Sequence, residues 1–241
     1  MCRQTKTMFS GSHNWNHPAP PGFQGFREDL PLEIDEQHLP HWRQPGATYF
    51  VTFRLADSLP VNRVRELRKL RADWESKTSA LRSQVDLDEF SRELFRRLDR
   101  WLDAGSGSCV LRNPDLAAHL VEEMHKSDET RAEIGCYVIM PNHVHAIVRP
   151  LQTHRNALDE VVRAWKGASA FAINRTRGAT GKLWQREGFD RIIRDEEHLY
   201  RVIQYIGRNP RRGGLDPKST VLWLRPSWQA LGWRFEDSSR M

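Results

Sequence analysis

Cysteine is scarce. The chain has three, Cys2, Cys109 and Cys136, and no CxxC pair among them. They cannot all pair with one another, which excludes a closed disulfide framework and fits reduced thiols in a cytosolic protein. Long apolar runs are missing too: no window approaches the ~18 apolar residues that a membrane span needs. The opening stretch "MCRQTKTMFSGSHNWNHPAPPGFQG" has no apolar signal core. The expectation is a soluble, cytoplasmic chain with no membrane partner. There is no internal repeat, and neither sign of charge dominates: 37 Lys and Arg stand against 31 Asp and Glu, a net +6. That excess suits a polyanionic partner without specifying one. What is abundant is tryptophan, with nine residues. Most belong in a core, but exposed aromatics among arginines are surfaces on which single-stranded bases stack.

At 241 residues, 39% hydrophobic and 28% charged, the chain can build one sizeable core with room for an insertion. Residues 1–37 read as a flexible tail, densest in Gly, Pro, Ser and Asn over the first thirty or so. His38 and His41 follow on a turn-like segment and receive no metal role. Pro45-Gly46 turns into a strand, Thr48 to Arg54, where Tyr49, Val51 and Phe53 alternate with Thr52 and Arg54. Residues 61–103 form two amphipathic helices: Val64, Leu67, Leu70 and Trp74 recur at helical spacing, as do Phe90, Leu94, Leu98 and Trp101. This pair is a helical hairpin inserted into the main plan, mixed in charge and without an assigned role. Asn113 and Pro114 open the next helix as N-cap and first helical residue.

Strands 133–140 and 143–149 come next, joined by a turn at Pro141-Asn142. A helix from Asn156 to about Asn174, a short strand at Arg191–Ile193, and a final helix 196–209 capped by Asp195 and ended by Pro210 complete the pattern. Removing the hairpin leaves β-α-β-β-α-β-α. The expected fold is therefore α+β, a ferredoxin-like antiparallel sheet with helices packed on one face, spanning residues 38–215. Residues 216–241 read as an irregular Trp-rich tail.

The run "YVIMPNHVHAIVRP" carries two histidines where burial would favour valine. Side chains alternate along a strand, so His143 and His145 share a face, ~6.5–7 Å apart at Cα. That spacing suits a shared cation or a wet strand edge; two imidazoles alone leave a site incomplete. On a helical wheel of ~100° per residue, Leu199, Val202, Ile203 and Ile206 make the buried stripe of the last helix. Arg201 and Arg208 face away, and Tyr205 and Asn209 share one flank. A tyrosine beside a bound divalent cation has definite chemistry open to it. Phenol titrates near pH ~10 and needs local assistance to act as a nucleophile. Two imidazoles and an amide oxygen leave positions on Mg²⁺ or Mn²⁺ for a phosphate oxygen, set for in-line attack.

"MPNHVHAIV", followed about sixty residues later by "RDEEHLYRVIQYIGRNPRRGGL", resembles the single-tyrosine HUH nucleases, where U is a hydrophobic residue. Within them the chain is most similar to the REP-associated tyrosine transposases of bacteria. "GATYFVTFRL", "LWQREGFDRIIRDEEHL" and "YIGRNP" fit as well, so the likeness runs over roughly residues 38–225. It implies His143 and His145 as metal ligands, Tyr205 as nucleophile and Asn209 as third ligand. It also implies Mg²⁺ or Mn²⁺ as cofactor. The implied activity is that of a transposase and endonuclease that nicks and rejoins single-stranded DNA at REP-type hairpins through a 5′-phosphotyrosine. One tyrosine beside its own histidines permits a monomer, although related enzymes exchange that helix between two chains. Tyr200 and Gln204 repeat the Tyr-x-x-x-amide spacing on the other flank, so Tyr200 competes as nucleophile. Where relatives often carry a bulky aromatic before "FD", this chain has Gly188.

Arg163 and Lys166, with Arg201, Arg208, Arg211 and Arg212, are the expected phosphate-tracking groove. Lys166 stands first because the family often has a lysine there. Asp190 is expected to pair with Arg191 or an arginine of the groove and is given no catalytic role. Two other readings stay open: a domesticated hairpin-DNA-binding protein, and a nickase of the relaxase or replication-initiator kind. A structural zinc site would need a fourth ligand that the sequence does not offer.

Overall fold

A computed structural model of the chain describes residues 17–35, 41–76, 84–216 and 220–236. The first long strand forms where the sequence alternates: β3 (Tyr49–Arg54), buried on both faces, follows the short antiparallel pair β1 (Glu33–Asp35) and β2 (His41–Arg43). The hairpin follows as α1 (Val61–Glu75) and α2 (Gln84–Asp103). Next comes α3 (Pro114–Ser127), whose N-cap Asn113 accepts a bond from the Asp115 amide with Pro114 in the first turn. Strands β4 (Ala132–Ile139) and β5 (His143–Pro150), helix α4 (Ala157–Arg177), strand β6 (Phe189–Ile192) and helix α5 (Glu196–Arg212) complete the plan. Two elements lie beyond it, β7 (Val221–Leu224) and α6 (Pro226–Ala230).

All five long-sheet strands pair antiparallel, in the order β6-β3-β5-β4-β7. Leaving out the hairpin and β7, the chain order β3-α3-β4-β5-α4-β6 gives the 4-1-3-2 arrangement of a ferredoxin-like α+β sheet. The expected fold class is therefore the observed one. One detail is corrected: helices cover both faces. Val51, Phe53, Val144, Ala146 and Val148 pack with Leu120 and Met124 of α3 and Leu158, Val161 and Trp165 of α4. The alternate residues Phe50, Val138 and Ile147 pack with Leu199, Val202, Ile203 and Ile206 of α5. A strand whose residues are apolar at both parities needs two covers, and β3 and β5 are of that kind.

Helix α5 also runs farther than expected. It continues through Pro210 to Arg212 with Asn209 and Pro210 buried, although proline gives up its bond to the carbonyl four residues back and crowds it. Gly213 still donates to the Asn209 carbonyl at 3.0 Å and Leu215 to that of Pro210 at 2.8 Å.

The parts read as tails are built in where they are described. β7 pairs with β4, and Trp228 and Trp233 are buried. Their indole N–H groups donate to Pro21 O at 3.3 Å and Pro18 O at 3.0 Å. Residues 17–21 therefore lie against the C-terminal segment, and Thr48 N donates to Gln24 O at 2.8 Å. Prolines and glycines there shape turns rather than loosen the chain. His41 lies in β2, with Nδ1 2.6 Å from Asp190; His38 falls outside the described residues. Cys109 and Cys136 are free and buried, and no described helix is long and apolar enough to cross a membrane.

Candidate active site

His143 and His145 stand on the face of β5 that meets α5, and both are wholly buried. Each ring is fixed from behind. His145 Nδ1 lies 2.7 Å from Thr52 Oγ1, its partner in the β3–β5 register, and its ring stacks on Phe50 at 5.5 Å. His143 Nδ1 lies 2.7 Å from Asn142 Oδ1. The Asn142 amide nitrogen donates to the carbonyls of Leu102 and Ser106, at 3.2 and 3.1 Å. Its oxygen is therefore the atom turned toward His143, so His143 carries its proton on Nδ1 and offers a lone pair at Nε2. Burial, with His145 close by, holds the His143 imidazole well below its ordinary pKa and hence neutral. The two Nε2 atoms face each other at 3.1 Å.

Helix α5 brings Tyr205 over this pair, its hydroxyl 3.4 Å from His145 Nε2. Its ring meets Phe50 edge-on at 5.7 Å and Phe95 at 6.0 Å, and the Arg212 guanidinium lies 5.2 Å over it. The hydroxyl donates to Asp99 Oδ1 in a short bond. Asp99 comes from α2, in the inserted hairpin, and is buried. Its Oδ1 also lies 3.6 Å from His145 Nε2, and Arg212 donates to its Oδ2 at 2.7 Å. Burial raises the pKa of the Asp99 carboxyl, but His145, the Tyr205 hydroxyl and Arg212 outweigh it and hold the group ionised. Burial and the charge of Asp99 raise the Tyr205 phenol well above its ordinary value. Burial first, and Asp99 second, push Asp103 up to about 6.

The competitor tyrosine is engaged elsewhere. Tyr200 donates to Glu236, and Gln204 bonds Arg234 O and Glu236 N at 2.9 and 2.8 Å. Burial and the Glu236 bond raise the Tyr200 phenol to about 12. Of the two tyrosines on α5, Tyr205 meets the histidines.

Among the described residues, no group of three or more His, Cys, Asp or Glu side chains is arranged to hold a metal ion. A residue that could join the two histidines in holding an ion would be of another type, and Asn209 is such a residue. It is wholly buried, and neither its side-chain oxygen nor its nitrogen has a hydrogen-bond partner. An orphaned amide of this kind costs about 1–3 kcal/mol unless something answers it. It sits close enough to His143 to favour that ring's charged form. Two imidazole nitrogens and one amide oxygen suit a borderline or hard divalent ion in donor type.

The basic residues divide. Arg163 and Lys166 lie on α4 and line a groove of about 620 Å³ with Lys182, Trp184 and Gly188. Burial, with Lys182 and Arg54 nearby, lowers the Lys166 ammonium to about 8, and it donates to Arg186 O at 2.8 Å. Arg201, Arg208, Arg211 and Arg212 ride on α5, across the sheet. Arg201 faces Glu197 at 3.8 Å, Arg208 faces Glu236 at 3.2 Å, and Arg212 holds Asp99. One continuous groove is thus corrected to two patches, because α4 and α5 cover opposite faces. Gly188 is explained by contact: a Cβ there would stand 2.8 Å from the Thr52 carbonyl oxygen. Asp190 pairs with Arg43 at 2.5 Å and lies 2.6 Å from His41, so its observed partners belong to β2 rather than to the groove arginines.

Sequence reasoning missed Asp99, Phe95, Thr52 and Asn142. A signal for the first did exist. Asp99 is an acid set among Leu98, Trp101 and Leu102, and it falls one turn after Phe95 on the same helix face.

No family model matches the chain. A curated protein of Haemophilus influenzae, described as uncharacterized, is 32% identical over 101 residues, a match covering 33% of this chain. The chain spans 55% of that relative's length. A solved structure described as a REP-associated tyrosine transposase bound to a REP hairpin aligns with a TM-score of 0.43 and 16% identity. The alignment covers 73% of each chain.

Proposed function

We propose that this chain nicks and rejoins single-stranded DNA at palindromic repeats, with Tyr205 as the nucleophile, a divalent cation on His143, His145 and Asn209, and a hairpin-forming strand as substrate. The observation that carries this reading is the Tyr205 hydroxyl directed at the buried histidine pair, 3.4 Å from His145 Nε2. The Thr52 and Asn142 bonds fix both rings, so their Nε2 atoms are preset rather than mobile. When bound there, Mg²⁺ or Mn²⁺ supplies Lewis-acid polarisation of a phosphate oxygen.

The chain's own groups account for the rest. The Tyr205 oxygen forms a bond to phosphorus while the bond from phosphorus to the 3′-oxygen breaks. The phenol loses its proton, and the departing 3′-oxygen gains one from solvent. The phosphodiester energy is kept in the tyrosine ester, so the reverse step rejoins the strand without ATP. The Arg163 and Lys166 groove offers a second cationic surface, suited to the flanking strand.

Covalent trapping tests the reading. With Mg²⁺ and a labelled single-stranded oligonucleotide containing a palindrome, a labelled protein band should appear on a denaturing gel. It should vanish in Tyr205→Phe and persist in Tyr200→Phe. The reverse pattern would move the nucleophile to the other flank of α5. Hairpin binding with no band from any substrate or metal would leave a binding protein without the enzyme.

A further inference from the structure

The wholly buried histidine pair conflicts with a substrate that must reach it. A phosphate attacked by Tyr205 has to sit between its hydroxyl and the histidine Nε2 atoms. That position is taken. Asp99 Oδ1 accepts the Tyr205 hydroxyl bond and stands 3.6 Å from His145 Nε2, while Oδ2 is held by Arg212 at 2.7 Å. A carboxylate with one oxygen on the nucleophile and the other on a guanidinium makes the contacts that an anionic phosphate would make there. Like charges at one site exclude each other, so Asp99 and a phosphate cannot occupy it together.

We infer that Asp99 is an internal stand-in for the scissile phosphate, that Arg212 is the cation which binds that phosphate once Asp99 leaves, and that α2 is the lid which carries Asp99 away. This rests on the reading of Tyr205 as nucleophile. The hairpin is suited to moving as a unit. Leu59, Leu67, Leu94, Leu98, Trp101 and Leu102 form a cluster of their own, separate from the two cores on the sheet faces. The contacts of α2 at the site reduce mainly to Phe95, Asp99, Asp103 and the Leu102 carbonyl. Arg212 sits on α5 and stays behind with Tyr205 when α2 lifts.

The test uses the full chain with Mg²⁺ and the labelled oligonucleotide, measuring both oligonucleotide affinity and the rate of covalent adduct formation. Removing an internal competitor raises the fraction of open molecules, so Asp99→Ala should gain about tenfold or more in apparent affinity and in adduct rate at limiting DNA. Asp99→Asn, which keeps the shape but loses the charge pair with Arg212, should show a smaller gain in the same direction and guards against a folding defect in the alanine variant. The double variant Asp99→Ala with Arg212→Gln should lose that gain. If it stays as fast as Asp99→Ala alone, Arg212 is not the phosphate-binding cation. Amide exchange provides a readout independent of chemistry: bound oligonucleotide should speed exchange across residues 95–103 while slowing it in α5. An adduct rate in Asp99→Ala equal to or below wild type, or α2 amides slowed by DNA, would overturn the lid. If neither protein yields a Tyr205 adduct, the nucleophile reading fails first.

Discussion

Asn209 and Lys166 are two buried or half-buried polar residues whose surroundings leave them at a cost. For Asn209 the cost is a buried amide with no well-formed hydrogen bond, only an approach to His143. Asn209→Leu should therefore hold or raise stability by about 1 kcal/mol in a metal-free urea melt, while abolishing any stabilisation by added Mn²⁺. For Lys166 the cost is charge. Its ammonium titrates near 8 in the fold against an ordinary 10.5. Between those values the unfolded chain binds more protons, so the Lys166 contribution to stability rises with pH across that window and the penalty is fully present at pH 7. Lys166→Met keeps the stem, and should raise the melting temperature at pH 7 by an amount worth about 1 kcal/mol after allowance for solvent. The gain should shrink as pH passes from 8 toward 10.5; a pH-independent gain would mean packing, not charge. Residue periodicity put His143 and His145 on one strand face and Tyr205 and Asn209 on one helix flank, because strand and helix periods are local properties. It could not show which of Tyr205 and Tyr200 lies by the histidines, since their partners, Asp99 and Glu236, lie 106 and 36 residues away.

At the scale of elements, α2 serves two surfaces at once. Leu94 and Leu98 face α1, while Phe95 and Asp99 face β3 and α5. Apolar spacing revealed the first face and hid the second, because a face with one acid on it reads as solvent-exposed. Leu94→Ala should cost about 2–4 kcal/mol locally. Amide exchange across residues 84–103 should rise while that of β5 stays unchanged, a sign that the hairpin opens as its own cooperative unit. Helix α5 shows the converse limit. The rule that a residue before proline leaves the helix put the end at 209, yet tertiary burial of Asn209 and Pro210 holds the helix to Arg212.

For the whole molecule, the fold class was readable from the sequence of elements, since a β-α-β-β-α-β chain has few unknotted solutions. The distribution of helices over two faces was not. Nor was the docking of β7 and α6, where Leu224, Trp228 and Trp233 join the α5-side core across a glycine far away in the sequence. A Cβ on Gly135 would stand 2.1 Å from the Trp228 ring. Gly135→Ala should cost about 1–3 kcal/mol by overpacking, and should shift tryptophan emission to the red as Trp228 and Trp233 are displaced. An unchanged spectrum would mean that the indole shifts without leaving its seat.

The clasp between the two ends of the described chain bears on how the protein is made. The indoles of Trp228 and Trp233 bond to carbonyls that lie 207 and 215 positions earlier. During synthesis, residues 18–21 emerge with nothing to meet, and β4 keeps an open edge until β7 arrives. The ferredoxin-like unit can assemble behind the ribosome, but its last seam closes only when residue 233 is out of the tunnel. A nascent chain stalled short of that point should expose a strand edge that chaperones or sister chains can reach.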